Sequence, residues 1–380
     1  MKSNYKYYNP VVINFGTGIR KKLLEYIDGR KCLIVCSKRG REQFTNDSIL
    51  SLIAKDTNNI WIDNVKESPT INDIQDQIKK IRNYSFDVVI AFGGGSVIDS
   101  GKAISVSKNI KTEAISIIDI IENPKQLSSV KVIPLFALPT TSGTGAEMTP
   151  FATFWDQENK KKYSLDHYAL FPSASFIDPD LTLNLPKDIT LSTGLDAINQ
   201  ACESIWNVNA SEYTLNIAYR SLELGIKSLP LIINHNNNEA REGLAECSML
   251  AGIAISQTRT AMCHSISYPL TSHFNVPHGI ACAFTMREIL KINIKNDDGR
   301  FNLLAKRLMG DSKSSEDLAS FFEDFFVNLE ILNVFKSYIN DIDLLKGLKG
   351  EMFTEARAKN SLVKITMDDM DSILENSLSR

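Results

Sequence analysis

The sequence is poor in the features that mark secreted, membrane and nucleic-acid-binding proteins. Its 380 residues include six cysteines and no CxxC pair, a usage typical of buried, reduced thiols. No apolar run approaches the roughly 18 residues of a membrane span, and the opening MKSNYKYYNPVVINFG has no apolar signal-peptide core. The net charge of −3 offers no positive surplus for nucleic acid or anionic lipid. We therefore expect a cytoplasmic protein with neither nucleic acid nor membrane as a partner.

Histidine is also scarce, and its distribution is uneven. Three of the five histidines fall within fifteen residues, HSISYPLTSHFNVPH (264–278). Such a concentration occurs in metal sites and catalytic sites, and also in ordinary cores. Motifs elsewhere in the chain help to decide between these interpretations.

Two patterns of hydrophobicity divide the chain near residue 185. Before this point, Val/Ile/Leu/Phe runs alternate with stretches of helical periodicity, as in buried parallel strands joined by crossover helices. After it, helical periodicity dominates. We predict a doubly wound, Rossmann-like α/β domain over 1–185 and an all-α domain over 186–380. The predicted strands are 31–37, 59–65, 86–96 and 130–141, and the predicted crossover helices are 70–82 and 97–108.

A glycine-rich segment follows one predicted strand. AFGGGSVIDSGKA (91–103) lets the backbone approach a phosphate closely, and the helix that follows presents free N–H groups to it. Ser96 can donate to the same phosphate and cap the helix. Because the segment is not GxGxxG, a tight strand–helix turn without a ligand is the alternative.

The next predicted strand ends in a loop rich in hydroxyl groups, LPTTSGTGAEMTP (138–150). The carboxyl ends of parallel strands lie at one edge of a sheet, so we expect this loop beside the glycine-rich segment. Thr140, Thr141 and Thr144 can hydrogen-bond to phosphate, ribose or nicotinamide. A polar loop with capping threonines is the alternative.

Together, GGGSxxDxxKA and PTTxGTGxExTP resemble the iron-containing (group III) alcohol dehydrogenase family. The resemblance runs from YYNPVVINFGTG through GLDA to VPHGIA. It implies a dehydroquinate synthase-like architecture, with a dinucleotide on the first domain and a metal and substrate on the second; we expect a homodimer. The cofactor-binding positions that it implies are Gly94, Gly95, Ser96, Asp99, Thr140, Thr141 and Thr144.

The end of the first predicted strand favours one nicotinamide cofactor. An acidic residue here accepts from the ribose 2′-OH, whereas small residues and cations accommodate a 2′-phosphate. The family often has VTD at this point, but this chain has Ser37 followed by Lys38, Arg39 and Arg41. We expect NADP(H) in preference to NAD(H), with Ser37, Lys38 and Arg39 as contacts. A solvated basic turn is the alternative.

The resemblance also implies a metal site. A divalent ion that polarises a carbonyl needs three or four N/O ligands and one open position. Asp196, His264 and His278 match the family's ligands, but Gln200 stands where the family usually has histidine. An amide oxygen is a weaker ligand than imidazole for late first-row ions. We expect one Fe²⁺ or Zn²⁺ ion on Asp196, His264 and His278, with Gln200 as a possible fourth ligand.

A second departure concerns proton transfer. Many family members have HAxxH, whose second histidine lies near the nicotinamide, whereas this chain has HSISY and therefore Tyr268 at that position. A tyrosine hydroxyl can relay a proton although it is a poor base at neutral pH. His273 is the other candidate.

Two longer segments resemble the branch that reduces phosphonoacetaldehyde to 2-hydroxyethylphosphonate: ISQTRTAMCHSISYPLTSHFNVPHG (255–279) and TPFATFWDQENKKKYSL (149–165). Arg259 offers a bidentate fork to a phosphonate, and we expect it to act in catalysis by positioning the substrate. An interdomain ion pair and a solvated lysine hairpin are the alternatives. The other substrate candidates are Ser265, Ser267, Tyr268, Lys160, Lys161 and Lys162.

Other functions stay open on the sequence. A general short-chain alcohol dehydrogenase, a metal-independent reductase and a dehydroquinate-synthase-type lyase share this fold. The lyase lacks the PTTxGTGxExTP and PHG segments. A decayed paralogue would account for Gln200 and Tyr268.

Overall fold

The computed structural model describes residues 4–107, 116–156, 161–235 and 237–379. They belong to two compact units. An α/β unit comprises residues 9–141 and 145–184, and a helical unit comprises residues 1–8, 142–144 and 185–380. The predicted class, an α/β doubly wound part followed by a helical part, is confirmed.

Six parallel strands form the sheet of the α/β unit in the order β1-β8-β5-β4-β2-β3. The strands among the described residues are β1 (Val12–Phe15), β2 (Cys32–Val35), β3 (Ile60–Ile62), β4 (Val88–Gly93), β5 (Leu135–Pro139), β6 (Phe151–Asp156), β7 (Lys161–Asp166) and β8 (Ala174–Ile177). The order in which successive strands are added reverses between β2 and β4: β3 lies on one side of β2, and β4, β5 and β8 lie on the other. In doubly wound sheets the carboxyl ends of two such strands flank the ligand site.

Both faces of the sheet are covered, as the near-continuous apolar runs predict. Ile34 and Ile90 belong to one buried cluster, whereas Leu33 and Val89 belong to another. Neighbouring residues thus point into different cores, which is typical of a parallel sheet between helical layers. All four predicted strands are confirmed, as β2 to β5.

The helices of the α/β unit are α1 (Leu23–Ile27), α2 (Lys38–Asn46), α3 (Ser51–Ala54), α4 (Ile71–Ile81), α5 (Gly95–Ser107) and α6 (Ile117–Glu122). The predictions at 70–82 and 97–108 correspond to α4 and α5. Thr70 and Asp73 form a capping box at the start of α4, which satisfies N–H groups that a helix leaves unpaired.

An antiparallel pair of strands, β6 and β7, follows the threonine-rich loop, where the sequence analysis gave a solvated lysine hairpin as an alternative to a substrate-binding cluster. Two side chains of α5 hold it. Asp99 Oδ2 accepts from the N–H and hydroxyl of Thr153 at 2.9 and 3.0 Å. The buried Lys102 donates to the carbonyl of Phe151 at 2.5 Å. The aspartate and lysine of GGGSxxDxxKA therefore fasten this hairpin.

The helical unit has one extensive core, formed by buried residues between Leu191 and Leu374. No helix among the described residues is both long and apolar enough to cross a membrane. All six cysteines are buried and free, as predicted. The helices are α7 (Lys187–Ile205), α8 (Glu212–His235), α9 (Asn238–Thr258), α10 (Met262–Phe274), α11 (His278–Ile294), α12 (Arg300–Met309), α13 (Leu318–Asn328), α14 (Ile331–Tyr338), α15 (Ile342–Gly347), α16 (Lys349–Met352), α17 (Glu355–Ala358) and α18 (Asp369–Leu378).

The start of α11 packs directly on the backbone of α7. A Cβ atom on Gly279 would lie 1.7 Å from the carbonyl oxygen of Ser192, so only glycine fits here. The N–H of Gly279 also donates to Ser192 Oγ at 3.2 Å. This contact brings the first turn of α11 against the middle of α7.

Candidate metal and cofactor sites

Three helices bring a group of metal-ligating side chains together: Asp196 from α7, His264 from α10, and His278 and Cys282 from α11. One ligand atom from each lies within 4.8 Å of the others. In the described part of the chain this is the one such group of three or more. Asp196 Oδ1 is 3.3 Å from Nε2 of His264 and 4.0 Å from Nε2 of His278. The structure thus collects the three residues that the sequence pattern indicated as ligands.

Glu203, which sequence reasoning missed, orients His264. Its Oε2 lies 2.8 Å from Nδ1 of His264 and accepts from the N–H of Ala261 at 2.6 Å, while Oε1 accepts from the N–H of His264 at 3.2 Å. A carboxylate at Nδ1 keeps a proton on that nitrogen and makes Nε2 the nitrogen that can bind a metal. Glu203 follows Asp196 by seven residues on α7, a helical spacing that could have indicated it.

Ser267 plays the corresponding part for His278. Its hydroxyl donates to the carbonyl of His264 at 2.8 Å, so its oxygen is available to accept from Nδ1 of His278 at 3.3 Å. Nε2 of His278 then carries the lone pair, on the side of Asp196. Both histidines present the nitrogen that a metal needs.

The electrostatics of the cluster favour a cation. Burial raises the pKa of Asp196, but its interactions with His264 and His278 outweigh this and leave the pKa below its usual value. Burial lowers the pKa of His264, and the surrounding Cys282 and Glu203 reverse the effect and raise it well above the ordinary value. The Oδ1 atom of Asp196 is buried, and no donor of the described residues reaches it in good hydrogen-bond geometry, although Nε2 of His264 faces it at 3.3 Å. A buried carboxylate oxygen without a donor is costly unless a cation compensates it, so these residues fit a divalent ion.

Gln200 lies one turn after Asp196 on α7, as predicted. Its amide nitrogen donates to the carbonyl of Thr144 at 3.3 Å, and its Oε1 is buried without a hydrogen-bond partner. Thr144, predicted as a cofactor contact, belongs to the helical unit. The preceding residue, Gly143, packs closely on α7, because a Cβ atom on Gly143 would lie 2.6 Å from Thr193.

Cys282 was predicted only as one of six buried thiols. Its Sγ lies 3.8 Å from Nε2 of His278, and burial raises its pKa to about 12. It follows His278 by four residues on α11. That spacing on a helix places both side chains on one face, which is the signal that the sequence analysis overlooked.

In the α/β unit, the two predicted cofactor loops adjoin each other. The N–H of Thr140 donates to the carbonyl of Gly93 at 3.1 Å, and a Cβ on Gly94 would lie 3.1 Å from Thr141 Oγ1. Helix α5 begins at Gly95, so its N-terminus lies at this edge of the sheet. The arrangement suits a pyrophosphate.

Two other predicted cofactor contacts have partners within the protein. Ser96 Oγ accepts from the N–H of Ser68 at 3.2 Å, and Asp99 holds the β6–β7 hairpin described above. Neither contact tests the predicted roles in binding a nucleotide.

The basic turn after β2 begins α2. Ser37 caps this helix by accepting from the N–H of Gly40. Arg41 pairs with Asp63, and Arg39 donates to the carbonyl of Asn184 at 3.3 Å. Lys38 and Arg39 are exposed, so both side chains lie at the surface beside the end of β2.

Tyr268 is next to the metal-ligand cluster, and an arginine that sequence reasoning missed accompanies it. Its ring stacks on that of His278, with centroids 5.8 Å apart and planes 8° apart. Arg357 of α17 donates to the Tyr268 hydroxyl at 3.1 Å and lies 4.8 Å over its ring. The two residues are 89 positions apart, and no sequence pattern connects them.

Three further site candidates, His273, Ser265 and Arg259, also belong to the helical unit. His273 pairs with Glu351 at 3.0 Å near the end of α10, and Ser265 Oγ lies 2.7 Å from Thr354 Oγ1. Arg259 ends α9 with an exposed side chain and a positive φ of 70°.

The predicted lysine cluster falls partly outside the described residues. Lys160 lies outside them, and Lys161 is exposed at the start of β7. The ammonium group of Lys162 lies 5.6 Å over the ring of Trp155. None of these positions tests a role in substrate binding.

Comparison with known proteins gives the family. The family described as iron-containing alcohol dehydrogenase matches residues 10–179, and its C-terminal domain family matches residues 190–378. The chain is 31% identical over 258 residues to the probable alcohol dehydrogenase EutG of Escherichia coli (strain K12), which is 66% of this chain and 62% of EutG. It is 31% identical over 233 residues to the 1-propanol dehydrogenase PduQ of Citrobacter freundii, which is 61% of this chain and 58% of PduQ. The match thus spans less than two thirds of either curated relative.

A solved structure agrees over the full length. The sulfoacetaldehyde reductase of Bifidobacterium kashiwanohense, in complex with NAD⁺, superposes with a TM-score of 0.87 and 27% identity, covering 100% of both chains. Two family matches that together cover most of the sequence accompany this likeness. The chain belongs to the iron-containing alcohol dehydrogenase family.

Proposed function

We propose that this protein is a nicotinamide-dependent, metal-assisted reductase that converts an aldehyde to a primary alcohol. The observation that carries the proposal is the convergence of Asp196, His264 and His278 in a member of this family. When bound, a divalent ion supplies a Lewis acid for the aldehyde carbonyl, and the reduced nicotinamide supplies a hydride. Gln200 Oε1, buried and without a hydrogen-bond partner, is a further candidate ligand.

Residues of the chain prepare this site in advance. Glu203 and Ser267 hold His264 and His278 through Nδ1 and direct Nε2 of each ring to the cluster, so the ligands need little rearrangement to bind an ion. The α/β unit binds the nicotinamide dinucleotide through Gly94, Gly95 and Thr141 at the carboxyl edge of its sheet.

Tyr268 is the proposed proton donor to the product oxygen. Arg357 donates to its hydroxyl oxygen, so the hydroxyl hydrogen is directed to another acceptor, which a substrate can provide. His273, the alternative relay, is engaged with Glu351 near the end of α10. The contacts therefore favour Tyr268 over His273 in this role.

We propose phosphonoacetaldehyde as the substrate and 2-hydroxyethylphosphonate as the product. The solved relative at 27% identity is a reductase of sulfoacetaldehyde, which is likewise a two-carbon aldehyde with an anionic head group. Arg357 brings a guanidinium group to Tyr268, beside the candidate ligand His278. A guanidinium group binds a phosphonate through a bidentate fork. Arg259, which the sequence analysis preferred, is the second candidate for this contact.

A substrate panel tests the proposal. With phosphonoacetaldehyde, sulfoacetaldehyde and propanal as substrates, kcat/KM should be higher for phosphonoacetaldehyde than for propanal by at least about two orders of magnitude, or roughly 2.7 kcal/mol. Comparable values would indicate a general short-chain alcohol dehydrogenase. Product formation without net NADPH consumption would indicate a lyase.

Two variants then locate the anion contact. Arg357→Ala should reduce the preference for phosphonoacetaldehyde over propanal, because binding energy from the head group is lost while the carbonyl site remains. Arg259→Ala is the matched control and should keep the preference. A reduced preference in Arg259→Ala but not in Arg357→Ala would assign the head-group contact to Arg259. An unchanged preference in both variants would make Lys162 the next candidate for this contact.

NADP(H) preference, a homodimer and a cytoplasmic location belong to the same proposal. The exposed cations Lys38 and Arg39, beside the end of β2, support a 2′-phosphate contact. Sedimentation velocity of the full chain tests the dimer, which a monomer at micromolar concentration would refute.

A further inference from the structure

One sulfur atom lies inside the proposed metal site. Cys282 is fully buried on α11, and its Sγ is 3.8 Å from Nε2 of His278. Bond lengths of 2.0–2.3 Å in a tetrahedral site imply separations of about 3.3–3.6 Å between ligand atoms. The separations of Asp196 Oδ1 from the two Nε2 atoms, 3.3 and 4.0 Å, are close to this range, as is the sulfur's distance from His278.

The unsatisfied oxygen of Asp196 points independently to a cation at the same place. Oδ1 is buried and receives no hydrogen bond of good geometry, and it lies 3.3 Å from Nε2 of His264 and 4.0 Å from Nε2 of His278. A cation bound among the four ligand atoms would neutralise the buried charge of the Asp196 carboxylate and would also be within reach of Cys282 Sγ.

We propose that Cys282 is a ligand of the metal ion, together with Asp196, His264 and His278. The proposal rests on the metal site of the proposed function and names a donor that the family pattern does not contain. Gln200 replaces a histidine in that pattern, and Cys282 supplies an anionic donor in the same cluster. Its position one helical turn after His278 is what allows both to reach one ion.

A thiolate changes which ion the site selects. Sulfur ligands favour Zn²⁺, whereas sites built only from oxygen and nitrogen suit harder ions such as Mn²⁺. Loss of the sulfur should therefore weaken Zn²⁺ binding more than Mn²⁺ binding. This comparison separates a ligand from a residue that only supports the fold, since general damage would affect both ions alike.

The first test adds Co²⁺ to the metal-free full-length protein and records its absorption. Wild type should show a near-ultraviolet thiolate-to-cobalt charge-transfer band that saturates at one Co²⁺ per chain. Cys282→Ser should lose this band and bind Co²⁺ at least about 100-fold more weakly, above the usual effect of an outer-shell residue. Cys202→Ser removes another buried thiol of the helical unit and should keep the band.

A comparison with Gln200 ranks the two candidate donors. Gln200→Ala should keep the charge-transfer band and weaken binding less than Cys282→Ser. A larger loss in Gln200→Ala, with the band absent from wild type, would make the amide the fourth ligand and overturn the proposal.

X-ray absorption of the zinc-loaded wild type avoids any variant that fails to fold. A sulfur scatterer at about 2.3 Å, beside nitrogen and oxygen scatterers at about 2.0–2.1 Å, would support ligation by Cys282. Only light scatterers would overturn it while leaving the metal site intact. Failure of wild type to bind Co²⁺ or Zn²⁺ at all would overturn both this proposal and the metal-assisted function.

Discussion

Replacing Glu203 with glutamine removes one buried charge and leaves the volume of the side chain unchanged. Oε2 of Glu203 receives the N–H of Ala261 and faces Nδ1 of His264, and Oε1 receives the N–H of His264. An amide has a single acceptor oxygen. If that oxygen takes the place of Oε2, the NH₂ group faces the N–H of His264, and two donors oppose each other.

The magnitude follows from these contacts. A hydrogen bond to a charged group contributes about 1.5–3 kcal/mol, against about 0.5–1.5 kcal/mol for a neutral one, so Glu203→Gln should cost roughly 1–3 kcal/mol. Loss of an outer-shell partner typically weakens metal binding by about 10–100-fold, or roughly 1.4–2.7 kcal/mol. The two estimates agree, because the same contact orients His264 for the ion.

The assay is a competition for Zn²⁺ between the protein and a chromophoric chelator. Glu203→Gln should bind Zn²⁺ about 10–100-fold more weakly than wild type. Glu288→Gln is the matched control, because Glu288 is also a buried glutamate of the helical unit but pairs with Lys291. Unchanged Zn²⁺ affinity in a folded Glu203→Gln protein would refute the orienting role of this carboxylate.

Three further outcomes are expected. Arg39→Ala should raise the KM for NADPH about ten-fold or more with little change for NADH, since a phosphate contact contributes roughly 1.5–3 kcal/mol; Lys55→Ala, which removes an exposed cation after α3, is the control, and equal use of both cofactors by wild type would contradict the NADP(H) assignment. Gly279→Ala should lower the free energy of unfolding by about 3 kcal/mol, the upper end of the usual cost of overpacking, because its Cβ would lie 1.7 Å from a backbone oxygen; a variant with wild-type stability in urea unfolding would show that α11 can move away from α7. Burial raises the pKa of Glu147 from 4.5 to about 7, so the folded state keeps a proton that the unfolded chain releases, and the free energy of unfolding should fall as pH rises through this interval. Glu147→Gln should flatten that slope in urea titrations, and an unchanged slope would mean that Glu147 titrates normally.

The parts of the fold that the sequence predicts are those set by local periodicity. Helix α4 repeats isoleucines at helical spacing, and β4 is a run of apolar residues, so both are recognised within a few residues of their ends. Strands β1 and β8 have four residues each. Their place in the sheet depends on pairing with each other across more than 150 residues, which no local window contains.

The site divides in a similar way. Asp196, His264 and His278 stand in motifs and could be named in advance, whereas Glu203 and Cys282 belong to no motif, and their contacts with the histidines form when α7, α10 and α11 pack together. Both lie at helical spacing from a motif residue, so a search for polar side chains on the same helix face would have found them.

The contact of Gly279 with the backbone of α7 has an evolutionary consequence. The separation of the two helices is set by main-chain atoms, so it does not depend on which side chains point into the site. Donor side chains on these helices, such as the one at position 200, can then be exchanged one at a time without a change in the spacing of the helices. A lineage with this framework can try different inner-sphere chemistries through single codon changes, while the rest of the chain continues to fold as before.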